Sequence, residues 1–186
     1  MTAKKIMGII TLVIVGCIGL FSFFLYATIK TKSTNLDKYD PFKEWVGNTV
    51  TLDKETVVFE EKIKMNPNSK YPYVLLDSLH PRWEYIREQK EIGDVNEIKI
   101  FPAGTNLTLE KAIQYTNGVS GSSYPTIFGT ITETDGDNAY KVGYQWGEQD
   151  IAKSHYKIEK CWHFHQAPWQ DEPDTAHYAL PIAAWW

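Results

Sequence analysis

The stretch "AYKVGYQW", residues 139–146, decides the fold class of this chain. Large side chains occupy every second position, and Lys141, Gly143 and Gln145 stand between them. A period of two predicts a β-strand with one face toward a core and the other toward solvent. The face predicted to point inward carries Tyr140, Val142, Tyr144 and Trp146.

Neighbouring segments show the same period. "ETDGDN", residues 133–138, has the Asp-Gly signal of a hairpin turn and predicts that "YPTIFGTIT" pairs with the opening stretch. "EIKIF" and "NLTLEKAI" flank the turn "PAGT", and Leu107, Leu109 and Ile113 of the second segment are predicted to point inward. These short strands with turns between them are typical of a small barrel or sandwich.

Two segments favour short helices and one favours a last strand. "DPFKEWVG" has a capping residue, an early proline and a terminal glycine, and "PRWEYIREQKEIGD" has a proline start with Trp83 and Ile86 on one helical face. "HYKIEKCWHFH", residues 155–165, predicts a strand whose inward residues are Tyr156, Ile158, Trp162 and Phe164.

Together these signals predict a mainly β chain, with an N-terminal transmembrane helix followed by one small antiparallel β-barrel or sandwich and one or two short helices. Over residues 45–150, the strand–PAGT–strand arrangement and the aromatic meander resemble bacterial SH3-like barrels. That resemblance implies a binding scaffold and no particular chemistry.

The N-terminus predicts a membrane anchor. Residues 6–29 contain no charged side chain and are long enough to cross a bilayer, with lysines on both flanks. We expect an uncleaved signal anchor with residues 1–5 in the cytoplasm and the C-terminal domain exported to the periplasm or the cell exterior. The predicted organisation is then a stalk (30–40), a β-rich domain (41–165) and an aromatic, proline-rich tail packed on it (166–186). An alternative is the lipobox-like "IVGC", which would make Cys17 the acylated N-terminus of a lipoprotein.

The charge distribution argues against nucleic-acid binding. The net charge is −4, while residues 1–32 contain four lysines and no acidic residue, so the remainder is more acidic still. By the same reasoning, the domain as a whole is not expected to lie flat on an anionic membrane. No nucleophile-elbow, phosphate-loop or dinucleotide motif occurs.

The segment "EKCWHFHQ", residues 159–166, is the one candidate for metal chemistry. In an extended strand Cys161, His163 and His165 share a face, and His177 is the candidate fourth ligand of zinc or copper. The competing interpretation is a plain strand with aromatic residues inside and histidines outside. The spacing from His165 to His177 matches no structural zinc pattern.

The tail offers a second candidate site. Trp169, Tyr178, Trp185 and Trp186 either pack on the domain or form an aromatic patch that binds a partner. The sequence therefore favours a membrane-anchored envelope domain that binds a protein partner, without catalysis, with toxin neutralisation or complex assembly as roles known by analogy. Cell-wall polymer is a further possible ligand. The alternative is an anchored metal-binding protein or metal-dependent enzyme that uses Cys161, His163, His165 and His177.

Overall fold

The computed structural model describes residues 2–63, 68–133, 138–181 and 183. The helices in this part of the chain are α1 (Ala3–Ile29), α2 (Phe42–Trp45), α3 (Trp83–Glu91) and α4 (Ile151–His155). The first strands are β1 (Lys32–Asn35), β2 (Thr49–Thr51), β3 (Thr56–Glu61), β4 (Tyr73–Asp77) and β5 (Val95–Phe101). The later strands are β6 (Asn106–Thr116), β7 (Ser123–Thr132), β8 (Ala139–Gln145), β9 (Glu148–Gln149) and β10 (Trp162–His163).

Helix α1 contains the predicted apolar segment and extends it by three residues toward the N-terminus. It is long and apolar enough to cross a membrane, and none of its residues is buried by the rest of the chain. Cys17 of the lipobox-like motif lies inside this continuous helix. Its acylation stays a prediction.

The chain is mainly β, as predicted, with 34% strand and 26% helix. One eight-stranded sheet has the order β1–β6–β7–β8–β4–β3–β5, and β2 also pairs with β6. Among the described residues no sheet closes, so the predicted barrel is not confirmed. The sheet is also mixed rather than antiparallel, because β4 runs parallel to β8 with Tyr73 opposite Val142.

Strands β7 and β8 form the predicted hairpin pair, from Thr126 opposite Gln145 to Thr132 opposite Ala139. The turn between them falls on residues 134–137, which lie outside the described residues. As predicted, Val142, Tyr144 and Trp146 are buried together, and Tyr140 packs against the same cluster.

A β-bulge corrects the predicted face pattern of β6. The register with β7 shifts between Leu109 and Lys111, so Leu107, Leu109 and then Ala112 face the main core. Ile113 consequently points to the opposite face, where it packs near Phe128. An extra residue in one strand reverses every later side chain, and alternation alone does not reveal such an insertion.

The face of the sheet that carries the main core is covered by α2 and by the segment that follows β10. The rings of Phe42, Trp146 and Phe164 meet edge to face, with centroids 5.1–5.5 Å apart. The indole N–H of Trp146 donates to the carbonyl of His165 at 2.7 Å. Gly147 has φ +108°, and a Cβ there would lie 2.5 Å from the Phe164 ring, so this position requires glycine.

The opposite face of β3 and β4 is covered by α3. Its Trp83 and Ile86 pack on the cluster formed by Val57, Phe59, Val74, Leu76 and Val95. The predicted helix and its apolar face are therefore confirmed.

The prediction of one strand over residues 155–165 is wrong in its first half. Asp150 caps α4 by accepting a hydrogen bond from the backbone N–H of Lys153 at 3.0 Å, and Lys157 has a positive φ of 57°. Tyr156 and Ile158 are exposed as a result, although Trp162 and Phe164 are buried as predicted. An effective N-cap favours a helical turn here over the strand that alternation predicts.

Candidate functional site

A groove of about 520 Å³ lies on the face of the sheet opposite the main core. Its floor is Val74, Thr126 and Gly143, and its walls are Tyr124 on one side and Arg82 and Tyr85 at the start of α3 on the other. Thr31, Glu61, Asn117 and Gln145 complete the lining. We call this feature the groove.

Strand pairing explains why the groove forms at this place. Gly143 lies opposite Phe128 on β7 and beside Val74 on β4, so the floor lacks a side chain at the centre of the sheet. Tyr71 fills the neighbouring space by packing its ring at a tilt against that of Phe128, with ring centroids 4.8 Å apart. Helix α3 covers β3 and β4 on the other side of Gly143. An open channel is left between α3 and the region covered by Tyr71.

Arg82 is the central polar group of the groove. Its guanidinium donates to the Glu61 carboxylate at 3.2 Å and to the side-chain carbonyl of Gln145 at 3.3 Å. The guanidinium also lies 5.8 Å from the Tyr85 ring centroid, within cation–π range. Arg82 is thus held in position with part of its surface open to a ligand.

The tyrosine on the opposite wall is a hydrogen-bond donor at neutral pH. Burial raises the pKa of Tyr124, and the nearby Arg82 charge lowers it while Glu61 raises it. The net direction is upward, so the phenol stays protonated. The groove therefore combines phenol, guanidinium and amide donors with carboxylate and amide acceptors, above an apolar floor.

His80 connects the groove to the interior. Its Nδ1 accepts from the backbone N–H of Arg82 at 3.0 Å, which places the proton on Nε2, and that N–H donates to the carbonyl of Gln145 at 2.8 Å. Burial lowers the pKa of His80 to about 4. The imidazole is therefore neutral and structural: it fixes the turn that carries Arg82 against the end of β8.

A polar cluster lies behind His80 on the core side of the sheet. The ring centroids of His80 and His165 are 4.7 Å apart, and His165 Nε2 forms a hydrogen bond with the hydroxyl of Tyr144 at 3.2 Å. Burial, with smaller contributions from His80 and His163, lowers the pKa of His165 to about 3. Trp169 packs on Tyr144, with ring centroids 5.1 Å apart, and covers the cluster.

Asp77 is the buried acid of this region. Burial raises its pKa, and the charge of Lys54 and the backbone N–H groups of Leu79 and His80 lower it. These N–H groups are near the carboxylate but outside hydrogen-bond geometry, and neither carboxylate oxygen has a hydrogen-bond partner among the described residues. A buried polar group without a hydrogen-bond partner lowers the free energy of unfolding by on the order of 1–3 kcal/mol.

The four predicted metal ligands are not brought together. His163 and His177 are neighbours, with ring centroids 6.1 Å apart, but His165 is directed to Tyr144 and Cys161 is buried with its sulfur 3.7 Å from the Gln149 amide. Within the described part of the chain, no group of three or more His, Cys, Asp or Glu side chains could hold a metal ion. Alternation predicts a shared face only where the strand is regular. Strand β10 ends at His163, so the prediction does not extend to His165.

The predicted partner-binding residues also fall in different environments. Trp169 is buried against Trp45 and Trp146, so it belongs to the core rather than to a surface patch. Tyr178 is half-buried, and its backbone pairs with that of Trp162. Trp185 and Trp186 lie outside the described residues.

Sequence reasoning missed Arg82, Tyr85, Glu61 and Tyr124 as site residues. They lie on three separate elements, the start of α3, β3 and β7, which meet only because β4 inserts beside β8 in parallel, and no local pattern indicates that pairing. The available signal was Gly143, since a glycine inside a strand often marks a close approach of a ligand or another backbone.

Comparisons with protein-family models, with curated proteins and with solved structures found no match.

Proposed function

We propose that this chain is a single-pass membrane protein whose extracytoplasmic β domain binds a second membrane protein in the groove, in a complex-assembly role rather than a catalytic one. Helix α1 supports the anchor because it carries no charged side chain from residue 6 to residue 29 and is exposed. Lys4 and Lys5, next to the apolar segment, form the basic flank that we place in the cytoplasm, which puts the domain on the exported side.

The position of Thr31 is the observation that carries the proposal. Thr31 lines the groove, yet it is only two residues beyond Ile29, the last residue of α1. Two residues of extended chain span less than about 8 Å. One end of the groove therefore opens at the surface of the membrane that α1 crosses, where a ligand that is itself held in the membrane has a high effective concentration.

The lining indicates the chemistry of that partner. Tyr85, Tyr124 and Val74 suit an apolar or aromatic side chain, whereas Arg82 and Glu61 suit a segment that carries a carboxylate or an amide. A polypeptide that emerges from the bilayer next to this chain offers both. We do not propose the metal-dependent activity, because His163 and His177 are neighbours while His165 contacts Tyr144 and Cys161 contacts Gln149.

Photo-cross-linking in native membranes tests the proposal. A benzophenone amino acid replaces Tyr85 on the groove wall in one variant and Tyr39, an exposed tyrosine outside the groove lining, in the matched control. We expect the Tyr85 variant to cross-link an integral membrane protein and the Tyr39 variant to give no such product.

The double variant Arg82→Gln/Glu61→Gln, combined with the Tyr85 probe, ties the product to the groove. It keeps the shape of the Glu61 side chain, shortens that of Arg82 and removes both charges, so the product should decrease markedly. Equal products from the Tyr85 and Tyr39 probes, or a product that the double variant leaves unchanged, would refute the groove as the binding site.

A further inference from the structure

The end of the domain nearest α1 is defined by strand pairing. Strand β1 begins at Lys32, three residues after α1 ends, and Lys32 lies opposite Thr116, which in turn lies opposite Ser123. The loop 117–122 that joins β6 to β7 is therefore at this end. A Cβ on Gly118 would lie 2.2 Å from the carbonyl oxygen of Thr28, so the loop touches the last turn of α1.

The segment after β9 lies at the same end. A cavity of about 780 Å³ is lined by Gly118 and Gly121 of the loop and also by Ser154, Lys157 and Ile158 of the segment that contains α4. Loop and segment are thus neighbours, although they are separated by about thirty residues in sequence. Both lie within reach of the bilayer surface if α1 spans it.

Four large side chains at this end project away from the domain. The exposed fraction of the residue is 75% for Val119, 83% for Ile151, 77% for Tyr156 and 48% for Ile158. We call these four residues the membrane-proximal patch. Tyrosine is enriched at membrane–water interfaces, where its phenol stays hydrated, and exposed apolar side chains of a surface segment are buried at the boundary between headgroups and acyl chains.

The charges around the membrane-proximal patch differ from those of the domain as a whole. Residues 150–160 carry Lys153, Lys157 and Lys160 against Asp150 and Glu159, and Lys30 and Lys32 lie at the end of α1. The carboxylate of Asp150 is engaged in capping α4 and lies 3.9 Å from the Lys153 ammonium. An acidic domain thus presents a basic end to the membrane, and that end attracts anionic headgroups.

We propose that the membrane-proximal patch inserts into the headgroup layer of the bilayer that α1 crosses, on the side of the exported domain. This inference rests on the proposed anchor and adds a second attachment to it. Two attachments fix the tilt of the domain, so the end of the groove near Thr31 and Asn117 is held against the membrane surface. Partner binding is then restricted to segments that leave the bilayer close by.

Depth-dependent fluorescence quenching tests the contact in the full chain. With Cys17 and Cys161 replaced by alanine, the environment-sensitive fluorophore NBD is attached after Val119→Cys or Ile151→Cys. The matched control is Ile100→Cys on the edge strand β5, at the opposite edge of the sheet from β1. The proteins are reconstituted into phosphatidylcholine vesicles that contain a minor fraction of phosphatidylglycerol, with and without lipids brominated near the headgroup.

We expect brominated lipid to quench the labels at positions 119 and 151 several-fold more than the label at position 100. Lys153→Glu/Lys157→Glu should reduce that difference. A chain that stays in the vesicles after an alkaline carbonate wash, but with equal quenching at all three positions, would overturn the contact alone. Release of the chain by the wash would overturn the anchor and the contact together.

Discussion

The two faces of the sheet differ in how their side chains are satisfied. The core face is closed by aromatic rings in edge-to-face contact, with Trp146 and Phe42 fully buried. The groove face carries Gly143 and Thr126 at its centre, and its Arg82 side chain is partly exposed above the buried carboxylate of Glu61. One face is therefore filled by packed side chains and the other leaves space and polar groups open. Under the proposed function, folding and recognition depend on different faces of the sheet.

The largest expected effect comes from the core face. Trp146→Ala removes a fully buried indole and its hydrogen bond to His165, and we expect a loss of about 3–5 kcal/mol in the free energy of unfolding. Denaturant unfolding of the full chain in detergent, followed by circular dichroism, measures it. Tyr85→Ala on the groove wall is the control and should change stability by less than about 1 kcal/mol. Equal losses would contradict the division between the faces.

Acid should destabilise the domain through the histidines between the two faces. The pKa of His80 is about 4 and that of His165 about 3, both below the ordinary 6.5, so the unfolded chain binds protons that the native state does not. Their contribution to stability is complete above pH 6.5 and decreases as the pH falls toward 4 and then 3. Asp77 acts in the opposite direction, because its raised pKa favours the native state at low pH.

Substitution of one histidine isolates this effect. His165→Gln keeps a hydrogen-bonding group beside Tyr144 and removes the titration, so the decrease in melting temperature between pH 6.5 and pH 4 should become smaller. The exposed His155→Asn serves as the control and should follow the unaltered chain. If His165→Gln left the pH dependence unchanged, titration of His165 would not contribute to the acid destabilisation.

The smallest effect on stability and the most specific effect on binding are expected from the groove. Arg82→Gln/Glu61→Gln replaces the ion pair by two neutral amides, so no unpaired charge is left and we expect a stability change of about 1 kcal/mol or less. Partner affinity should fall about tenfold or more, because a charged contact in the binding site is lost. Denaturation and cross-linking of the same variant measure both quantities. A large decrease in the free energy of unfolding with unchanged partner affinity would contradict these roles of the two faces.

Much of this fold follows from local sequence patterns. The alternation in residues 139–146 correctly predicted β8 and its buried face, and proline and glycine signals predicted α2 and α3, although neither helix has a side-chain cap at its N-terminus. The bulge at Glu110 and the parallel pairing of β4 with β8 were not predictable, because both depend on partners distant in sequence. The groove depends on that pairing, so its residues were missed while Gly143 was recognised only as part of a solvent face.

The histidine segment shows the reverse case. Cys161, His163 and His165 follow a clear alternation, but regular strand geometry ends at His163, and His165 turns inward to Tyr144. The packing of Trp146 and Trp169 around it decides that direction. A two-residue period predicts a shared face only while the backbone stays extended.

The central claim is that α1 anchors an exported domain that carries the groove. Measuring on which side of the membrane the groove lies tests this claim most directly. Tyr85→Cys, in a chain with Cys17 and Cys161 replaced by alanine, places a thiol on the groove wall. Right-side-out vesicles from the expressing cells are treated with a membrane-impermeant maleimide, before and after permeabilisation. The proposed anchor and exported domain predict full labelling in intact vesicles. Labelling that requires permeabilisation would place the groove in the cytoplasm and contradict the account.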